Sequence, residues 1–443
     1  MKEHNGIFIE GAFGLERLTG FESHVMPGKH ARAVIEGIAG EVDTMERWQK
    51  SEGKQEVTVR HKGKAVFCGL VEHASFEPVT KEVYRVKIYL ISGSTALDRE
   101  KVSMSFQDTK LSYVDIAEKA IASTAGASII CTTGKGEKPG RPMIQYAETD
   151  WEFAARLASR VKAVLYPEVC RHGAYIWFGI PECGEKAVEI DAEEYGHGIS
   201  SRFYELGGEM SGYKSRDFEY YKVECGQNHG IGAKTVYAGG TWRILEKHIR
   251  LVQEEFRYTY ILARDAYAAA KPVYNPMFVG QSIHGTVIKT GGDAVRLHLK
   301  IDKKQDTSKA YPYPWVPDTG SVMYCMPETG TKVSLYFPNE DERNAIAVNC
   351  IRQNGATCSG MSDPSKRALT TAEGKRMFLE PKKIGFDIES AGHSMTLEDS
   401  KSLSLKSETT VDICAVKRIH FYARKILIRS RGALTLLRDP DNK

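Results

Sequence analysis

Residues 394–430 read SMTLEDSK SLSLKSET TVDICAVK RIHFYARK ILIRS, and their spacing decides the fold. Apolar residues recur every eight positions in two columns. One column is Met395, Leu403, Val411, Ile419 and Leu427; the other is Leu397, Leu405, Ile413 and Phe421, ending at Arg429. One residue stands between the columns in each octad: Thr396, Ser404, Asp412 and His420. An apolar-x-apolar triplet is a short strand with one buried face, because successive side chains point to opposite faces. The polar spacers then turn the chain so that triplets stack. A period of eight fits neither a helix nor a heptad coil, and the β-branched and Ser/Thr content favours strand and turn. The pattern continues with a one-residue slip at Ile384, Phe386 and Ile388 before it, and at Ile426, Ile428, Leu434 and Leu436 after it.

Two columns from one chain are too thin to enclose a core. Three chains about a common axis close it most economically, so the stretch predicts a trimeric, triple-stranded β-helix or β-prism stem. Its core would be Met395, Leu397, Leu403, Leu405, Val411, Ile413, Ile419, Phe421 and Leu427. A single-chain solenoid is the alternative, although solenoids usually carry longer rungs.

The chain has 443 residues, enough for about three domains. A hydrophobic content of 42% and a charged content of 27% are ordinary for globular protein. The net charge of +4 is too small to imply nucleic-acid binding. Residues 400–431 are locally basic, through Lys401, Lys406, Lys417, Arg418, Arg424, Lys425, Arg429 and Arg431 against Glu408 and Asp412. Solvated faces between rungs explain these charges more simply than an anion-binding surface. Nine cysteines without a C-x-x-C pair argue against a disulfide framework and for a reducing compartment. The opening MKEHNGIFIEG carries no apolar signal region, and no stretch reaches eighteen apolar residues, so synthesis in the cytoplasm without a signal peptide is expected.

Residues 1–105 predict strands at 6–9, 31–39, 56–61, 65–73 and 82–92. Residues 111–125 predict a helix with Ser112 as cap. Residues 149–165 predict a second, where Thr149 and Glu152 form a capping box and Trp151, Phe153, Ala154, Leu157 and Val161 form the buried stripe. Strands are expected again near 174–178, 218–224, 233–237 and 245–251, and a strand with a helical, Ala-rich end at 256–270. Prolines 272 and 276 mark a boundary. Five strands at 282–289, 294–301, 321–326, 332–337 and 344–351 predict a small barrel of the OB type. The expected organisation is a hub at 1–272, the barrel at 273–353, a linker at 354–375 and the stem at 376–443. The whole is mainly β, with two helices.

This order of parts resembles the VgrG-type spikes of type VI secretion systems and the hub-spike proteins of contractile phage baseplates, including the late-control protein D class. The run Ile144-Gln145-Tyr146-Ala147-Glu148-Thr149-Asp150-Trp151-Glu152-Phe153-Ala154-Ala155-Arg156-Leu157 matches the family's Q-Y-x-E-T-D-φ-x-F-φ-x-R-L pattern, where φ is apolar. Tyr311-Pro312-Tyr313-Pro314-Trp315-Val316-Pro317, then Met326-Pro327-Glu328-Thr329-Gly330-Thr331-Lys332-Val333, is similar to its W-φ through P-x-x-G-x-x-V signature. The resemblance implies a homotrimer in which two barrel-like subdomains per chain form a pseudo-sixfold ring that adapts a tail tube to a threefold spike. It implies structural roles for Gln145, Tyr146, Glu148, Thr149, Asp150, Trp151, Phe153, Arg156 and Leu157. Implied partners are the inner tail-tube protein, baseplate proteins, a separate PAAR-like spike-tip protein and, transiently, the target envelope. Phage tail, tailocin, extracellular injection system and type VI-like apparatus all remain open.

Relatives with a lysozyme domain carry it between barrel and stem, where this chain has about twenty residues, too few for an enzyme fold. No His-x-His tip motif, Gly-x-Ser-x-Gly, P-loop or His-Glu-x-x-His occurs. Cys170-Arg171-His172 with Cys183 matches no zinc spacing and reads as buried thiols with a surface His. Residues 339–342, Asn-Glu-Asp-Glu, read as a solvated hairpin tip, and the proline-interleaved Tyr311, Tyr313 and Trp315 as a rigid connection at the trimer seam. No enzyme activity, cofactor, metal or nucleic acid is expected. The alternatives are an envelope-degrading or carbohydrate-binding tail protein and, more distantly, an OB-fold nucleic-acid protein.

Overall fold

The computed structural model describes residues 5–12, 14–40, 55–184, 187, 190–318, 325–351, 363–371, 373–400 and 402–436, with only the backbone of Glu194, Tyr195 and Glu389. Two compact units divide the chain, residues 1–351 and 352–443.

The first unit is built on an eleven-stranded antiparallel sheet. Its first half runs in space Ile7–Glu10, Glu56–His61, Lys64–Pro78, Val83–Ser92, Arg32–Gly40, Leu15–Val25. The second half continues Gly240–Val252, Glu255–Ala263, Glu219–Cys225, Glu193–Ile199, with Lys234–Tyr237 paired to Gly240–Val252. Alternation sets the faces. In Arg32–Gly40, Ala33, Ile35 and Ala39 are buried while Arg32 and Glu36 face out. The two halves meet where Leu15–Val25 pairs with Gly240–Val252 from Glu22↔Arg250 to Val25↔Lys247. Sequence reading missed Leu15–Val25 because its first half, Glu16 to Gly20, is mostly polar and irregular, with register shifts against Arg32–Gly40.

Two helices pack on a small three-stranded sheet. Helix α1, Tyr113–Ile121, starts at Ser112, whose hydroxyl accepts from the Asp115 N–H in a full capping box. Helix α2, Asp150–Arg160, starts at Thr149 with the reciprocal bonds to Glu152 that the sequence predicts. Trp151, Phe153, Ala154 and Leu157 are buried with α1 in one core. The helix stops at Arg160 rather than 165, because Leu165–Pro167 leaves it to pair with Tyr175–Phe178. Likewise the expected helical end of 256–270 is the strand Glu255–Ala263 followed by a single 3-10 turn, Asp265–Ala268; three buried tyrosine and leucine positions on that strand outweigh the local alanines.

The barrel strands are Ser282–Gly291, Ala294–Leu299, Pro312–Pro314, Lys332–Tyr336 and Ile346–Ile351. Their order places Pro312–Pro314 at one edge and Ile346–Ile351 at the other. A parallel bridge, Trp315↔Ala347, and the Val316 N–H bond to Ala347 O (2.8 Å) join those edges and close the barrel. Most of the expected strand at 321–326 lies outside the described residues. Pro312–Pro314 supplies the barrel's remaining strand, at an edge where prolines are tolerated.

In the second unit, residues 367–406 form a five-stranded antiparallel meander: Arg367–Thr370, Lys375–Glu380, Lys383–Ile388, His393–Glu398 and Ser402–Lys406. From Ser407 to Leu436 the backbone joins no sheet. The octads expected at 411–427 therefore form no strands in the single chain. Residues 354–362 and 372 of the expected linker, Lys401, and the residues beyond Leu436 lie outside the described residues.

Candidate functional site

Two arrangements gather the residues that the sequence singled out. The first is a buried charge network around Arg156 on α2. The guanidinium donates from Nε to Glu148 Oε1 (2.7 Å), from Nη2 to Glu148 Oε2 (2.7 Å) and the Ile144 carbonyl (2.7 Å), and from Nη1 to Glu342 Oε1 (2.5 Å). Arg156 is 1% exposed and Glu342 is 0% exposed. Burial works against the Arg156 charge, but the Glu342 and Glu148 carboxylates outweigh it and raise its pKa above the ordinary value. Arg160, one turn along α2, stacks its guanidinium 3.9 Å from the Tyr274 ring centre and sits 3.8 Å from Glu342 Oε2. Asp341 is held by Arg343 through Nε (2.9 Å) and Nη2 (2.6 Å). Burial opposes the Asp341 charge; that clamp prevails and keeps its carboxyl below the usual range.

The rest of the motif serves the same joint. Gln145 is fully buried and donates to the Glu148 carbonyl (3.2 Å) and Asp150 Oδ1 (3.0 Å). Thr149 Oγ1 donates to Asp98 (2.5 Å) while capping α2. Trp151 packs against the His30 ring at 4.1 Å, Phe153 against Phe106 at 5.7 Å, and Leu157 is fully buried. Tyr146 packs on Phe278, its carbonyl accepts from Asn275 Nδ2 (2.8 Å), and its side chain joins the barrel core. The motif thus binds α2, its preceding strand and the barrel into one piece.

Sequence reasoning did not find Glu342. It opens the 3-10 turn Glu342–Asn344 and is the turn's one buried residue, turned in from the exposed Asn339 and Glu340, because Arg156 and Arg160 compensate it. Four consecutive polar residues concealed it; no local pattern marks one carboxylate of such a run as buried. Tyr313 and Trp315 also differ from expectation. Both are core residues of the barrel, Trp315 with Nε1 donating to the Cys325 carbonyl (2.8 Å). Cys170 is exposed and Cys183 half-buried, and His172 bonds Thr58 at 2.6 Å. Among the described residues no group of three or more His, Cys, Asp or Glu side chains is placed to hold a metal ion. A cleft of about 530 Å³ beside α2 is lined by Glu148, Trp151, Arg156 and Tyr274, but its guanidinium and carboxylate already satisfy one another.

The second arrangement is the face of the meander. Its register aligns Leu369, Met377, Phe386, Met395 and Leu405 in one row, and Leu379, Ile384, Leu397 and Leu403 in the next. All nine point to one side and are 39–62% exposed. The other side is polar. There Phe378 lies flat between the Arg376 guanidinium (4.5 Å) and the Lys383 ammonium (5.5 Å), and Arg376 pairs with Glu380 and Asp387. Gly385 makes room for that ring: a Cβ there would stand 2.7 Å from Phe378. Met395, Leu397, Leu403 and Leu405 are therefore brought together, but not in the expected columns: Met395 faces Leu405 and Leu397 faces Leu403, because the two strands are antiparallel. Val411, Ile413, Ile419, Phe421 and Leu427 follow on the unpaired segment, 44–69% exposed.

No family model and no curated protein matches the chain. Solved structures do match. The E. coli c3393 protein, described as a type VI secretion component structurally similar to the T4 bacteriophage tail proteins gp27 and gp5, aligns with a TM-score of 0.55 at 12% identity, over 78% of this chain and 99% of that one. A chain of the lidded Francisella PdpA-VgrG complex aligns with a TM-score of 0.56 at 9% identity, over 91% and 80%. The fold is that of VgrG-type and phage-tail hub proteins. A chain of the lidless PdpA-VgrG complex agrees, with a TM-score of 0.53 at 8% identity over 90% of this chain and 97% of that one. Within this fold, the Arg156 network fastens the barrel's Glu342 turn to helix α2 and the strand before it.

Proposed function

We propose that the protein is the hub-spike of a contractile injection machine: a homotrimer that caps the inner tube and helps to pierce a target envelope. In this reading residues 1–272 adapt to the tube, 273–353 form a barrel of the OB type, 354–375 link, and 376–443 build the stem. The observation that carries it is the apolar face of the meander, continued by the octads to Leu427. A monomer gains nothing by holding nine large apolar side chains in register on one open face. Copies that cover one another's faces remove them from water, at about 25 cal/mol per Å² of apolar area. The hub fold supports the assignment to a tail or secretion apparatus, with tube and baseplate proteins as partners and a separate tip protein at the stem. The role is mechanical, and no catalysis is assigned. Sedimentation of the full chain at micromolar concentration tests the reading: a trimer is expected, and a stable monomer overturns it.

A further inference from the structure

The outer face of the barrel carries a hollow of about 470 Å³, and strand register sets its walls. On Ser282–Gly291, Ile283 and Val287 point into the core, so Thr286 and His284 point out. Thr286 stands directly opposite Lys332 on one neighbouring strand and His298 on the other. Two residues back, the His284 carbonyl accepts from the Lys300 N–H (2.8 Å). A short threonine among four longer side chains leaves the hollow, and neighbouring strands about 4.8 Å apart let both ammonium groups lean over it. The His298 ring is fixed: its Nε2 is 3.0 Å from the Asp302 carbonyl, which can only accept, so Nε2 carries a proton and Nδ1 is the nitrogen left to take another. The one carboxylate at the hollow is Asp302. Its charge is engaged by Ser105, whose N–H donates to Oδ1 (2.7 Å) and whose hydroxyl donates to Oδ2 (2.5 Å). Among the described residues Lys300, Lys332 and His284 have no ion pair. Arg343 on the same barrel, by contrast, is clamped to Asp341. Like charges gathered across strands destabilise a sheet, and an anion seated between them removes that cost.

We propose that this hollow binds a phosphate group, free or as the monoester of a small sugar. Two ammonium groups match the charge of a phosphate dianion, and the Thr286 hydroxyl adds a donor from the floor. The volume exceeds that of phosphate alone, and Ile351 gives the remaining wall an apolar surface that a sugar ring can cover. No Phe, Tyr or Trp lines the hollow, so single-stranded nucleic acid would find no platform for its bases. The site lies within one chain and stands or falls apart from the trimer.

The test is titration calorimetry of the full chain at fixed ionic strength with inorganic phosphate, glucose 6-phosphate and acetate. One phosphate or one ester should bind per chain at about millimolar Kd or tighter, and acetate, with a single charge, about tenfold more weakly or less well still. Whichever of phosphate and its ester binds more tightly names the source of the group. Lys300→Gln with Lys332→Gln should weaken binding about tenfold or more. Thr286→Leu fills the hollow, leaves every charge in place and should do the same. Melting in the absence of phosphate checks that both variants keep the fold. Undiminished binding by the double lysine variant, acetate binding as well as phosphate, no phosphate binding at about 10 mM, or tighter binding of an oligothymidylate than of phosphate overturns the proposal. Binding that survives Thr286→Leu also overturns it, because the charges alone would then be sufficient.

Discussion

Arg156 and Glu342 stand 186 positions apart in the chain and 2.5 Å apart in space. Taking both out of water is costly, and each is tolerated only because the other is present. Arg156→Met should therefore destabilise the protein by about 3–5 kcal/mol in denaturant unfolding, since Glu342 is left charged and enclosed. The pair Arg156→Met with Glu342→Leu should recover much of that loss. A single variant costing under about 1 kcal/mol would show the network to be solvated. Lys247 gives a second test. Its ammonium donates to Asn228 Oδ1 (2.5 Å) and the His229 carbonyl (3.0 Å), and burial pushes its pKa down to about 8. The unfolded chain holds that proton up to about 10.5, so between the two values it binds more protons than the fold does. This group's penalty is full below about pH 8 and disappears as pH rises towards 10.5. Compared with Lys247→Met, wild type should gain about 3 kcal/mol across that window. Thermal melts of both proteins at several pH values measure the difference; no difference in slope would mean that Lys247 keeps an ordinary pKa.

At the scale of elements, the stem makes the sharpest demand. In the proposed trimeric stem, Ile413→Asp would place a carboxylate in each copy's apolar column and should open the segment from that rung onward to protease, while Asp412→Ser should be almost silent. The reverse outcome would mean that the octad faces are inverted. Gly385→Ala should loosen the meander, because the new methyl meets both Phe378 and the Met395 carbonyl. Legibility in sequence varied with how local the cause was. The capping box and buried stripe of α2, the Ser112 cap of α1 and the apolar alternation from Ile384 to Leu405 could be read, since each is written within a few residues. The strand Leu15–Val25, the end of α2 and the burial of Glu342 could not. Their causes lie outside the local pattern: the irregular pairing of that strand with Arg32–Gly40 and Gly240–Val252, the pairing of Leu165–Pro167 with Tyr175–Phe178, and Arg156. The octads after Ser407 could be read as a pattern, which the single chain does not pair into strands.

For the whole molecule, the two compact units predict two kinds of melting. In the proposed trimer, association covers the apolar face of the second unit, so its midpoint should rise with protein concentration, whereas the first unit, with its own buried core, should melt independently of concentration. Differential scanning at several dilutions would show this, and a single transition that never moves would contradict it. The meander has a further consequence for how the protein is made. Its strands are neighbours in sequence joined by short turns, so it can form within microseconds of leaving the ribosome, before a second copy exists. From then on an oily surface and an open strand edge wait in a crowded solution, and any similar surface can take them. Assembly of the proposed trimer becomes a race in which the spacing of ribosomes along one message matters as much as affinity. A cell that makes this chain sparsely, one molecule at a time, should lose more of it to clumps and proteolysis than a cell that makes it in bursts.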